Sequence, residues 1–459
     1  MTPRRIWLIL FVVACALRLP DVGNPLVDID EQMYLLVAQR MWDGAIPYVD
    51  IWDRKPIGLF LIFAGAAGLP GDAVVAYHLL ALAAASLTAG LIAAFARRFA
   101  TPVGALAAGL VYLVWLELLG GRGGQSPVFY DLPILAAAIL TFDTATGRRR
   151  AAVPAMLLAG LALQIKPTAL FEGAFLGITL LVASWRRHRS PARLIGAALL
   201  YAGVALLPTI AVGIAYAAIG HVDAWWFANV ESIFLRRVTP NDPLIMRLLG
   251  VGAVLLLPAV LAIRGIASHP RGSRWFVAGW LVTATIGWLL VPPYFNHYAL
   301  PLLVPIALAA ATALDRRPWR IATAVVGAAL LLMSGYPHWR ETTDTRHRLA
   351  ALATIIDRQR GRGCLFVFQA PPALYSATRS CLPTRYPFPF HLTEASEADA
   401  IGVDPVSEVA RILASRPPVI ARGSRPARTP AGMLVDRAIS DHYRPIARDI
   451  GITLYRRRN

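Results

Sequence analysis

Between Ile6 and Gly335 the chain passes through eleven apolar stretches, and the short connections between them hold most of its charge. The first is Ile6 to Leu19, and the others lie near 73–95, 102–119, 128–143, 151–166, 168–184, 192–218, 246–263, 275–291, 298–314 and 319–335. Most approach the roughly 20 residues that an α-helix needs to cross a bilayer. Few other architectures accept so many apolar stretches in one chain. The predicted fold is an all-α polytopic membrane protein, and an apolar fraction of 57%, a charged fraction of 16% and a mean hydropathy of +0.55 agree with it. A net charge of +18 could point to nucleic acid. Most arginines, however, sit in short clusters at helix ends, where they orient a membrane protein, so no nucleic-acid partner is expected.

Those clusters set a direction. Arg97-Arg98, Arg148 to Arg150, Arg186-Arg187 with Arg189, Arg264 to Arg274, and Arg316-Arg317 with Arg320 fall on the same side as Arg4-Arg5. The positive-inside rule makes that side cytoplasmic. No small-residue cleavage site follows the first stretch, so it reads as a membrane helix rather than a signal peptide, with Arg18 snorkelling to the outer surface. The loops 21–72, 120–127 and 219–245, Lys166-Pro167, and Tyr294 to His297 are then all predicted outside. So is the tail, which gives an inner (plasma) membrane protein with a transmembrane domain over 1–335 and an extracytoplasmic domain over 336–459. In the tail, helices at 343–360 and 407–415 alternate with strands at 365–368, 419–421 and 452–455, a small α/β domain. Cys364 and Cys381 could pair in an oxidising compartment, or could be two buried thiols. The run from Ala370 to Phe390 reads as a proline-rich loop, and Gly120 to Gly124 as a flexible one.

The loop 21–72 carries the chemistry-bearing residues. Lys55 and Lys166 are the only lysines among 45 basic residues. Lys55-Pro56 opens a short apolar run, Ile57 to Leu69, where an ammonium and backbone N–H groups at a helix start would converge on a phosphate. Snorkelling is the alternative account of that lysine, and it needs no such position. Upstream, Asp28, Asp30 and Glu31 precede a helix whose Met33, Leu36, Val37 and Met41 share a face, as in an amphipathic surface helix. Capping accounts for one or two of these acids, Asp28 and Glu31 forming a capping-box-like pair, and leaves the cluster itself unexplained. Asp50 and Asp53 read as loop carboxylates. Arg236-Arg237, after Trp225, Trp226, Phe227 and Phe234, could grip a lipid phosphate or simply anchor the interface.

The ordered set Asp30-Glu31, Tyr34, Gly44 and Lys55-Pro56, with the later Pro292 to Pro305, resembles polyprenyl-phosphate-sugar-dependent glycosyltransferases of the GT-C fold. Protein O-mannosyltransferases and the aminoarabinose transferases of lipid A are among them. The resemblance implies transfer of a monosaccharide from a polyprenyl-phosphate-linked donor to a cell-envelope acceptor at the outer face, with inversion. Asp30 is then the general base and Glu31 its partner. Lys55, Lys166, Arg236 and Arg237 are the candidate phosphate ligands. Asp28, Tyr34, Arg54, Tyr294 and His297 are candidate substrate contacts. In some relatives Glu31 and His297 could ligate a divalent metal, but no HxxxH or clustered ligand spacing accompanies them, so none is expected. Glu117, Asp131 and Glu172 lie near outer helix ends, within reach of water.

A transporter or flippase of a charged lipid is the competing class. It predicts mid-membrane polar groups and an internal repeat, and neither is evident. A non-catalytic receptor would leave the ordered acidic and Lys-Pro loop unexplained.

Overall fold

The computed structural model describes residues 1–239 and 242–458. Residues 240 and 241 of the loop expected at 219–245 lie outside the described residues. Each apolar stretch coincides with helix: Pro3–Arg18, Ala73–Ala96, Pro102–Leu118, Ser126–Ala145, Ala152–Leu163, Ala169–His188, Pro191–Ala218, Leu244–Ser268, Arg271–Leu289, Leu303–Ala310 and Arg317–Met333. Five of these, at 73–96, 126–145, 169–188, 191–218 and 244–268, are long and apolar enough to cross a membrane by length and composition. The stretch at 298–314 is less regular than expected. It begins as the 3₁₀ segment Asn296–Leu302, whose Pro301 lacks an N–H for the α-helical ladder.

The chain divides into two compact units. The first comprises Met1–Val22, His78–Val212 and Pro243–His338 and is a helical bundle. Small residues let its backbones approach closely. A Cβ on Gly160 would lie 2.2 Å from the carbonyl oxygen of Ala205, and one on Gly265 would lie 2.0 Å from that of Ala309. The helix Pro191–Ala218 leaves Leu199 70% and Ile214 64% exposed. An apolar helix with so much bare surface suits hydrocarbon rather than water.

Arg18 departs from expectation. It is 2% exposed and does not snorkel. Its guanidinium donates to Glu117 Oε1 at 2.9 Å and to the carbonyls of Gly121 and Gly123 at 2.7 and 2.6 Å. The glycine-rich loop is thus a carbonyl cradle for a buried cation, which lowers the cost of holding a charge in a low-dielectric bundle. Glu117, Asp131 and Glu172 are buried too, rather than reaching water. Asp131 accepts from Tyr112 at 3.1 Å, and Glu172 from Trp280 Nε1 at 2.8 Å.

The second unit gathers Gly23–Tyr77, Gly213–Asp242 and Trp339–Asn459. Its sheet has the order β1-β2-β4-β3, with β1 Leu365–Phe368, β2 Val419–Gly423, β3 Tyr443–Asp449 and β4 Ile452–Arg457. The pair β1 and β2 is parallel and buried along its whole length, while β4 runs antiparallel to both β2 and β3. Strand β3 and the helix Pro430–His442 were not expected. The strand is charged and carries Pro445, features of an edge strand that hide it from an alternation test. For the helix, Thr429 as N-cap followed by Pro430 was a legible start signal. The run 370–390, expected as a loop, contains the helix Ala373–Thr378. Cys364 and Cys381 form a disulfide, their Cα atoms 4.9 Å apart.

Candidate active site

The acidic stretch is built into the second unit. Asp28 caps the helix Ile29–Trp42 by accepting from the Asp30 N–H at 2.8 Å, as a short acceptor side chain does at this position. The expected one-sided helix is absent: every residue from Glu31 to Ala38 is buried. The helix packs on Ile57–Ala67 and Ala373–Thr378, and Gln32 Oε1 accepts from the Ala373 N–H at 3.3 Å. Both faces are therefore covered by protein, which removes the need for a polar side. At its start Asp30 stays half-buried while Glu31 is fully buried.

The segment Asp50 to Lys55 is pinned from several directions. Trp52 donates its backbone N–H to Arg385 O at 2.7 Å, and Tyr48 donates its hydroxyl to Lys55 O at 2.9 Å. Asp53 Oδ1 accepts the Lys55 N–H at 3.2 Å. The Lys55 ammonium lies 5.5 Å from the Tyr34 ring centroid, and Tyr34 packs edge-on to Phe63 at 5.4 Å. Arg54 forks onto Glu397 at 3.2 and 2.5 Å. Arg236 meets the same carboxylate at 2.8 Å, and Arg237 pairs with Asp399 at 2.9 Å. The two tryptophan-flanked arginines are thus tied to tail carboxylates.

Electrostatics separate the acids. Burial raises the Asp53 carboxyl above its ordinary range; Lys55 opposes this and the Asp30 carboxylate adds to it. Two carboxyls and an ammonium therefore lie within electrostatic reach of one another, an arrangement that drives acid and base roles apart. Glu397 behaves oppositely. Burial would raise it, but Arg54, its hydrogen bonds and Arg236 lower it to about 2. His391, edge-on to Trp52 at 4.7 Å, is pushed by burial down to about 3 and stays neutral.

Lys166, Tyr294 and His297 belong to the first unit. Lys166 is 9% exposed, its ammonium 5.0 Å from the Tyr298 ring centroid. His297 stacks on Phe295 and meets Tyr298 edge-on. Arg247 lies 4.4 Å from the Phe295 ring centroid and donates to Pro293 O at 3.1 Å. Tyr294 donates its hydroxyl to Leu289 O at 2.9 Å. The aromatic segment after Pro292 thus gathers Lys166 and Arg247. Arg247 went unnoticed, although an arginine on the side expected to be outer runs against the orientation rule and was a usable signal. Glu397, Trp52 and His391 were also missed. Glu397 meets Arg54 across 343 residues, a distance that no spacing rule bridges. Among the described residues no three or more His, Cys, Asp or Glu side chains gather as a metal-binding group.

No protein-family model matches the chain, and no curated protein does. Solved structures do. The crystal structure of ArnT from Cupriavidus metallidurans bound to undecaprenyl phosphate is similar with a TM-score of 0.68 and 14% identity, over 99% of this chain and 97% of that one. The apo structure of the same protein gives 0.68 and 15%, over 99% and 98%. The chain has the ArnT fold, a polytopic membrane fold with a small C-terminal sheet, as the motif resemblance implied.

Proposed function

We propose that the chain is an integral-membrane glycosyltransferase of the GT-C kind. In this reading it moves a monosaccharide from a polyprenyl-phosphate donor to a cell-envelope hydroxyl, at the outer face of the inner membrane. The observation that carries the reading is the near-full-length likeness to a protein crystallised with undecaprenyl phosphate. The loop geometry supports it independently. Asp30 is half-buried, the exposure a base needs, and it acts on the buried Asp53 carboxyl, which Lys55 also faces.

In this reading Asp30 accepts the proton of the acceptor hydroxyl as its oxygen bonds to the anomeric carbon. The bond from that carbon to the phosphate oxygen breaks, polyprenyl phosphate leaves with the electron pair, and attack from the opposite face inverts the centre. A carboxylate suffices, because the hydroxyl becomes acidic only as the bond forms. Fixed cations stabilise the leaving phosphate. Lys55 is the first of them, with Lys166 a further candidate; Arg236 and Arg237, paired with Glu397 and Asp399, act at one remove. Glu31 orients the acceptor or Asp30, and Asp28 holds the helix start. Tyr34, Arg54, Tyr294 and His297 are assigned to shaping the substrate sites. Arg54 does so at one remove, since its guanidinium is already committed to Glu397.

The test is transfer in membranes, with radiolabelled polyprenyl-phosphate sugars and cell-envelope acceptors. Label moving covalently to an acceptor is the expected result. Label that crosses the bilayer still attached to its lipid would make the chain a flippase instead.

A further inference from the structure

Within the second unit an open cavity of about 210 Å³ lies beyond the C-terminal ends of the parallel strands β1 and β2. Ligands in α/β sheets favour that position, because the loops leaving parallel strands diverge there. Gln369 and Ser424, the residues that follow the two strands, line it. Arg425 and Glu394, an ion pair at 4.0 Å, add a cation and a carboxylate, and Phe390 adds an aromatic ring 5.4 Å from the Arg425 guanidinium. Planar hydrogen-bonding side chains around an aromatic ring suit a pyranose, whose hydroxyls need paired donors and acceptors and whose C–H face packs on a ring.

Two further features single out this cavity. Its rim holds Gln369 at φ +54°, a left-handed conformation uncommon away from glycine. Strain of this kind persists where surrounding structure enforces it, and it concentrates at binding sites. The proline-rich run 370–390 supplies walls from both its ends, Ala370 and Pro371 at one and Pro389 and Phe390 at the other. The disulfide from Cys364 to Cys381 ties that run back beside β1. The cavity is therefore preorganised, which lowers the entropy cost of binding. Ile29 completes the lining, and its chain neighbours are Asp28 and Asp30.

We propose that this cavity holds a saccharide ring of the acceptor. The assignment rests on the transferase reading above and narrows the acceptor to a glycan or glycolipid.

Saturation-transfer NMR tests it on the full-length protein in a sugar-free detergent, with mannose, galactose, glucose and glucosamine as probes. At least one sugar should receive saturation. Arg425→Ala and Phe390→Ala should each weaken that binding by about ten-fold, the worth of one charge-assisted or stacking contact. Arg437→Ala, exposed on the helix Pro430–His442, should leave it unchanged. Should Phe390→Ala fail to fold, the exposed Arg425 position still carries the test. No response to any sugar, or equal responses in wild type and both cavity variants, overturns the proposal. The transferase reading is judged separately by donor turnover: its loss alone would leave a saccharide site in place and remove only the acceptor role.

Discussion

Each unit contains a buried arginine–glutamate contact, and the two differ in what surrounds the charge. In the helical bundle Arg18 and Glu117 are 2% and 5% exposed at their side chains, and the carbonyls of Gly121 and Gly123 take up further guanidinium donors. One cation meets one anion, and the balance is closed. In the second unit Glu397, 5% exposed, faces both Arg54 and Arg236, which are 15% and 25% exposed. Two cations share one carboxylate, and Lys55 is the next residue along the chain. A closed pair suits architecture, whereas the shared carboxylate belongs to a mixed cluster that also holds Asp53, Asp30 and Lys55.

Orientation gives the most clear-cut test of how the units differ, because labelling is all or none. In a Cys15→Ser background, Arg97→Cys, Arg148→Cys and Arg317→Cys should resist an impermeant thiol reagent in intact cells. Asp344→Cys should react. The reverse pattern would move every candidate residue to the wrong face.

The ion pairs come next. Removing one partner of a fully buried pair leaves an uncompensated charge, so Glu117→Ala should cost roughly 3–5 kcal/mol of stability. Equilibrium unfolding in mixed micelles measures it, and a change within experimental error would mean that Arg18 finds water after all. Lys55→Ala should fold normally and weaken binding of the lipid-phosphate donor by about ten- to more than a hundred-fold, from a charge-assisted contact of roughly 1.5–3 kcal/mol. Unchanged donor affinity would take Lys55 out of the site.

The smallest effect belongs to Glu397→Gln, and pH sharpens it. The folded Glu397 value of about 2 lies below its ordinary 4.5, so its stabilisation is complete above that ordinary value and is lost as pH falls toward 2. His391, about 3 against an ordinary 6.5, resists a proton that the unfolded chain takes up, so stability also falls between those limits on acidification. Thermal midpoints of the wild type should therefore decline throughout that acid range. In Glu397→Gln the part below the ordinary carboxylate value should flatten, and parallel curves would show that the ion cluster contributes little.

The same contrast explains what could be read from sequence. Apolar length located the helices, because each must satisfy its own backbone in lipid whatever its neighbours are. Strands β1, β2 and β4 were legible as short apolar runs. Partners were not. Arg18 near a helix end looked like a snorkelling residue, since only the folded loop reveals its carbonyl cradle. Arg236 looked free for phosphate, since Glu397 lies far along the chain. Asp30, Glu31 and Lys55 stood out by residue type and order, while the burial that sets Glu31 and Asp53 apart from Asp30 depends on the tail helix Ala373–Thr378 and other distant segments.

The central claim is that Asp30 does chemistry rather than capping. Asp28 already accepts the Asp30 N–H as the helix cap, so Asp30→Asn should leave the fold intact. The decisive measurement is single-turnover sugar transfer from a matched polyprenyl-phosphate donor in detergent, with thermal stability followed in parallel. The account predicts a folded protein that still binds donor but turns over roughly 10²–10⁴-fold more slowly, the range for loss of a general base. A stable Asp30→Asn protein that transfers sugar at the wild-type rate would contradict it.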